Sequence, residues 1–195
     1  MGPLIHLFKS FSLPHASGCK LGKRTVSAHL FGLEEMGVRT KVTTNSYDVT
    51  IKKLKPATVV MYEAGDTACE NLVIAAAKIP GKTVIKFATA NYMVQETCHF
   101  LQALGVKVDG IGTGTITIEG VKEINKKVEY YNSEDPIESM MFLSAAITTN
   151  SQITIRRCPI DFLELELYKL KKMGLKFKRS KEYLSKNGFT KLVDI

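Results

Sequence analysis

The chain has 195 residues, 45% of them hydrophobic and 24% charged, with a formal net charge of +8. That length can bury a sizeable core in one domain or two small ones, and the composition is that of a globular rather than a disordered protein. No apolar run approaches the ~20 residues of a membrane-spanning helix, and the first residues lack a basic stretch followed by a long apolar one, so no signal peptide is expected. His6 stands where a myristoylation signal requires Ser or Thr. A basic chain favours anionic partners. Its lysines are scattered, with small clusters at Lys52-Lys53-Lys55 and Lys169-Lys171-Lys172. No basic motif interleaved with aromatics marks an RNA binder. Neither a nucleic acid nor a membrane is therefore expected as a partner. Cys19, Cys69, Cys98 and Cys158 lie far apart with no C-x-x-C pair, which suits a reducing cytoplasm.

In chain order, the first chemically suggestive segment is Ser17-Gly18-Cys19-Lys20-Leu21-Gly22-Lys23-Arg24, with His29 close behind. Glycines let backbone approach a ligand closely, and cations raise the thiolate fraction of a neighbouring cysteine. On spacing alone a basic surface loop with an inert thiol is the simpler reading. Gly32-Leu33-Glu34-Glu35-Met36-Gly37 reads as a helix end with a glycine cap. Thr67-x-x-Glu70 predicts a capping box opening a helix to about Lys78, with Leu72 to Ala77 in the core. Thr83 to Phe87 alternates as a strand. Val94, Cys98, Leu101 and Leu104 fall at helical spacing up to Gly105, and Val106-Lys107-Val108 and Thr115 to Glu119 read as strands. Asp135-Pro136-Ile137-Glu138 combines an N-cap, a proline at the first helical position and an acid in the first turn. A last helix runs from about Asp161 to Met173. Cys69 and Cys98 lie among Leu and Ala in helical patterns and are expected to be buried.

These elements repeat. Gly37, Gly105 and Gly174 each end a helix and precede a strand at a spacing of about seventy residues, the mark of a supersecondary unit stacked on copies of itself. Ala75-Ala76-Ala77 with Thr83-Val84-Ile85 is echoed by Ala145-Ala146 with Ile153-Thr154-Ile155. The order within a unit is helix, strand, helix, strand, strand. The first unit is incomplete, Gly2 to Phe8 matching only the end of its first helix. Pattern alone gives an α/β protein with mixed sheets.

Gly2-Pro3-Leu4, Gly18-Cys19-x-x-Gly22-x-Arg24-x-Val26-x-x-His29 and Gly32-Leu33-Glu34-x-Met36-Gly37 resemble blocks of the enolpyruvyl transferase family. So do Glu70-Asn71, Phe100-Leu101-x-x-Leu104-Gly105, Gly112-Thr113-x-Thr115-Ile116-Thr117-Ile118-Glu119-Gly120-Val121, Asp135-x-Ile137-Glu138 and Phe142-Leu143-x-Ala145-Ala146-Ile147. The blocks run in family order from Gly2 to about Gly174 and cover the middle of a longer enzyme. The resemblance implies repeated βαβαββ units, an inside-out α/β barrel that is incomplete here. Residues 1–133 would form most of a first lobe and residues 134–195 one unit of a second.

The resemblance further implies the transfer of an enolpyruvyl group from phosphoenolpyruvate to the 3-hydroxyl of UDP-N-acetylglucosamine, in peptidoglycan precursor synthesis, with no cofactor. Cys19 takes the position of the family's general acid. Arg24, Thr25, Val26, Ser27, Ala28 and His29 take that of its nucleotide-sugar segment. Thr25 and Ser27 depart from the family's Pro and Asp, and Glu63-Ala64-Gly65-Asp66-Thr67 replaces a cationic segment. A non-catalytic partner or regulatory protein that kept the fold, or a related transferase with another acceptor, stands as the alternative. Activity of this chain alone is not expected, because groups the chemistry needs come from segments it lacks. For the same reason self-association, or a partner chain supplying those segments, is expected. Leu4, Phe8, Phe162, Leu163 and Leu167 are the residues expected to lack packing.

Overall fold

A computed structural model describes residues 1–15 and 26–195. They form two compact units, Met1–Val128 and Glu129–Ile195. The first unit holds β1 (Ser10–Pro14), α1 (Ser27–Glu35), β2 (Val38–Val42), β3 (Ser46–Ile51), β4 (Thr58–Val60), α2 (Asp66–Ala77), β5 (Gly81–Lys86), α3 (Tyr92–Ala103), β6 (Lys107–Asp109) and β7 (Thr115–Gly120). The second holds α4 (Pro136–Thr148), β8 (Cys158–Pro159), α5 (Glu164–Lys172), β9 (Tyr183–Leu184) and β10 (Lys191–Val193).

The repeat read from the glycines is visible in the sheets. One sheet has the order β1-β3-β2, another β4-β5-β7-β6 and the third β8-β10-β9. Each therefore contains an antiparallel trio whose last-made strand lies in the middle. β4 to β7 complete the βαβαββ unit, with β4 parallel to β5 and joined to it through α2, as a parallel pair requires. Gly37, Gly105 and Gly174 have φ of 92°, 95° and 102°. At Gly37 and Gly105 this left-handed conformation lets the chain leave a helix and turn back along a strand, whereas after Gly174 no strand forms until Tyr183–Leu184.

Packing explains the composition of α2. Ala68, Cys69, Leu72, Val73, Ala75, Ala76 and Ala77 are all buried, between α1, α3 and the sheet strands β5 and β7. Small residues let those neighbours come close, and Gly32 of α1 does the same from the other side, because a Cβ there would clash with the Leu72 side chain. Alternation in β5 and β7 puts Thr83, Ile85, Ile116 and Ile118 inside and turns Lys82, Lys86 and Thr115 outward. In the second unit a smaller core gathers Leu143, Cys158, Ile160, Leu163, Leu167 and Val193.

Several sequence expectations change in detail. The capping box at Thr67 and Glu70 does not form: the N-cap of α2 is Gly65 and no side chain caps it. Tertiary partners win instead, for Glu70 Oε1 accepts from Thr97 Oγ1 of α3 at 3.4 Å. The Asp135 cap does form, its carboxylate accepting from the Ile137 N–H at 2.8 Å. The helix expected from Asp161 is split into a 3-10 turn over Ile160–Phe162 and then α5. Gly2 to Phe8 contributes only a 3-10 turn, Leu4–His6. Ile153 to Ile155 is not a strand, although Ile155 and Ile195 exchange backbone hydrogen bonds at 2.8 and 2.9 Å. Leu163 and Leu167 are buried rather than short of packing.

Candidate functional site

Cys19, Arg24 and Thr25 lie outside the described residues. The described site begins at the first turn of α1. Val26 is its N-cap, with a carbonyl that accepts from His29 N at 3.0 Å and Leu30 N at 3.2 Å. Valine has no side-chain acceptor, and no cap is formed by a described side chain. With His29 and Leu30 bonded to Val26, the Ser27 and Ala28 N–H groups are the first-turn donors that have no partner among the described residues, the kind of group that can meet an anionic ligand. Val26 and Ser27 are half-buried, Ala28 is buried and His29 is half-buried. On the other side of residues 16–25, His15 is fixed at the end of β1: its N–H donates to Asn45 O at 3.1 Å, and its ring stacks on Tyr47 at 4.5 Å.

The segment that follows β4 lies against α1. Phe31 of α1 meets Tyr62 edge to face, ring centroids 5.2 Å apart. Burial holds the His29 imidazole below its ordinary value; the amino terminus of Met1 pushes the same way and Glu63 pulls against both. His29 is therefore a neutral donor and acceptor near neutral pH, with a carboxylate close by. At the start of α2, Asp66 accepts from Thr89 Oγ1 at 2.6 Å and from Asn91 Nδ2 at 2.9 Å. Asn91 in turn caps α3 by accepting from Met93 N at 3.0 Å. The starts of α2 and α3 are thus linked where β4 and β5 finish, and Tyr62 and Glu63 bring the segment after β4 to α1. The carboxyl ends of strands are where α/β proteins bind ligands.

The expected segment Val26 to His29 lies at this place, and Glu63 lies beside His29. Asp66, Thr89 and Asn91 were not foreseen as a group. Asn91 carries the local signal of an N-cap residue, but nothing local ties it to Asp66 twenty-five residues earlier. A second polar group in the other unit was also missed. The Arg157 guanidinium pairs with Glu134, whose Oε1 also accepts from Ser185 Oγ at 3.0 Å, while its Oε2 is buried without a partner. Arg157 has φ of 61° and its N–H donates to Asp194 at 3.0 Å. This N–H and the Tyr183 hydroxyl hold the Asp194 carboxyl below its usual range. Glu134, Asp135, Glu138, Phe142 and Arg156 border a groove of about 520 Å³ at the start of α4. Among the described residues no group of three or more His, Cys, Asp or Glu is placed to hold a metal ion.

A sequence model of the EPSP synthase family (3-phosphoshikimate 1-carboxyvinyltransferase) matches residues 1–193. The chain belongs to this enolpyruvyl transferase family. It is 33% identical over 186 residues to the UDP-N-acetylglucosamine 1-carboxyvinyltransferase of Aeromonas hydrophila, covering 95% of this chain and 44% of the relative. It is 35% identical over 175 residues to the enzyme of that name from Shewanella denitrificans, covering 89% and 42%. The enolpyruvyl transferase NikO from Streptomyces tendae superposes with a TM-score of 0.73 at 20% identity, over 98% of this chain and 44% of that one. EPSP synthase from Acinetobacter baumannii gives 0.66 at 20% identity, over 94% and 42%. These structures share the enolpyruvyl transferase fold. The chain spans less than half the length of the relatives it matches.

Proposed function

We propose that this chain carries one wall of an enolpyruvyl transferase site whose acceptor is UDP-N-acetylglucosamine and whose donor is phosphoenolpyruvate. The support is the likeness to carboxyvinyltransferases of that acceptor along 95% of the chain, joined to a helix start that no described side chain caps, at the expected position of the nucleotide-sugar segment. In this reading the acceptor's 3-hydroxyl oxygen bonds to C2 of phosphoenolpyruvate, the hydroxyl proton leaves to a base, and C3 takes a proton from the Cys19 thiol. The tetrahedral adduct then loses phosphate by cleavage of its C2–O bond, and C3 returns a proton to restore the enol double bond. A thiol among cations is a usable acid near neutral pH. Arg24 offers a planar fork of donors to phosphate oxygens, and the first turn from Val26 to His29 adds backbone N–H groups. The remaining wall belongs to the stretch of the relatives that this chain does not span. A protein active in peptidoglycan precursor synthesis would work in the cytoplasm.

The alternative, a relative with another acceptor or a non-catalytic partner, is favoured by Glu63. A carboxylate beside His29 opposes an incoming diphosphate. Protection of Cys19 separates the readings. The rate of Cys19 alkylation by limiting iodoacetamide, followed by peptide mapping, should fall when UDP-N-acetylglucosamine is added. Protection by shikimate 3-phosphate instead would move the chain to another acceptor, and protection by neither would support the non-catalytic reading.

A further inference from the structure

The three helix-to-glycine corners carry different charge although they share one backbone path. At the first, Glu34 and Glu35 precede Gly37 and offset Arg39 and Lys41 beyond it. At the second, Lys107 bonds Glu119 at 2.7 Å and lies 3.8 Å from Asp109. The third is unbalanced. Between Leu167 and Arg179 stand Lys169, Lys171, Lys172, Lys176, Lys178 and Arg179, with no acid among them. All six are exposed, and none is in an ion pair among the described residues. Favourable placement near a helix C-terminus accounts for the three on α5; nothing in the repeat asks for the three that follow.

Large apolar side chains are interleaved with these cations. Leu165, Tyr168 and Met173 are 58%, 58% and 82% exposed, and Lys172 Nζ lies 5.4 Å from the centre of the Tyr168 ring. Lys171, Lys176 and Arg179 line a groove of about 770 Å³ with Tyr168, Phe177 and a single acid, Glu164. The face is thus both cationic and apolar. A nucleic acid would use the cations and stack on the tyrosine, but it has no use for an exposed Leu and Met. A bilayer surface uses all three features: phosphate headgroups meet the cations and the acyl boundary takes the apolar side chains.

We propose that the outer face of α5 and the segment up to Arg179 form a docking surface for an anionic phospholipid bilayer. The helix would lie along the surface rather than cross it. This departs from the expectation of no membrane partner, which rested on the lack of a span-length apolar run. Interfacial binding needs only a short face that is both cationic and apolar.

Co-sedimentation of the full chain with vesicles tests it. Vesicles of phosphatidylcholine with phosphatidylglycerol should bind the chain, and vesicles of phosphatidylcholine alone should not. Each lysine near a charged bilayer contributes about fivefold, so Lys169→Gln/Lys171→Gln/Lys172→Gln should lower the partition coefficient by roughly two orders of magnitude. Leu165→Ser/Met173→Ser should lower it further in salt that screens the charges. All five side chains are exposed, so the thermal melt should stay that of the parent chain. No partition to the anionic vesicles, or partition unchanged by the lysine substitutions, overturns the proposal. So does single-stranded DNA binding as tight as the lipid and indifferent to Leu165→Ser/Met173→Ser, which would mark a general polyanion surface.

Discussion

The four thiols of this chain are expected to differ in reactivity. Burial pushes Cys69 up to about 11 and Cys98 up to about 12; it raises Cys158 as well. None of these three is a ready nucleophile at neutral pH. Cys19 stands among Lys20, Lys23 and Arg24 in sequence. Peptide mapping after limiting iodoacetamide should find Cys19 labelled first, and faster labelling of any other cysteine would remove it from the proposed acid role. Histidine supplies a second residue-scale test. His6, whose Nε2 lies 2.8 Å from Ala75 O, and His29 are both held below their ordinary values, chiefly by burial. A histidine depressed in the folded state binds fewer protons there than in the unfolded chain. Its contribution is present above the unfolded value of about 6.5 and is lost as pH falls below it. The melting temperature should therefore drop between pH 7 and pH 5, and His6→Gln/His29→Gln should flatten that drop. An equally steep fall in the double variant would assign the effect to other groups.

At the scale of elements, the three glycine corners make a controlled comparison. Gly37 and Gly105 have nearly the same positive φ, but an added Cβ meets nothing within 4 Å at Gly105, whereas at Gly37 it runs into the Lys53 carbonyl oxygen. Gly105→Ala should cost about 1–2 kcal/mol of left-handed strain. Gly37→Ala should cost clearly more by urea unfolding, and equal costs would show that the Lys53 segment yields freely. Asn91→Ala removes both the α3 cap and the link to Asp66, for an expected loss of about 1–2 kcal/mol. The corners and the Asp135 cap were legible because glycine, proline and short acids act on the backbone next to them. The start of α2 was misread, because Thr67 and Glu70 carry a local pattern that Asp66 and Thr97 override through distant partners. The echo at Ile153-Thr154-Ile155 is not matched by a strand for a similar reason: Ile155 pairs with Ile195 at one point, and the strand of that unit forms at Cys158–Pro159. Of the proposed site, Val26 to His29 were named from the family's motif, which is local in sequence. The grouping of Glu63, Asp66, Thr89 and Asn91 could not be read that way, since it depends on which helix starts the fold brings together.

For the whole molecule, the two units treat equivalent helices differently. In the first, α2 is covered on every apolar side. In the second, α4 leaves Ile137, Met141, Phe142 and Ile147 between 40% and 63% exposed. Such a face is too apolar to remain in water without consequence. Self-association of this chain is the expected outcome, with Met141→Lys/Phe142→Lys shifting it toward monomer in sedimentation velocity. A parent chain that stays monomeric at high concentration and binds no hydrophobic dye would contradict this. The sheet order β8-β10-β9 has a further consequence, in time rather than in space. Strand β10 is the last of its unit to be synthesised, yet it is the one that both neighbours pair with. The second unit cannot close its sheet until Lys191 to Val193 have left the ribosome, whereas the described strands of the first unit are all made by Gly120. During synthesis the chain therefore passes through a stage in which the strands of the first unit are made and the second still lacks its middle strand, with the apolar residues of α4 already made and the strand that pairs with both its neighbours still to come.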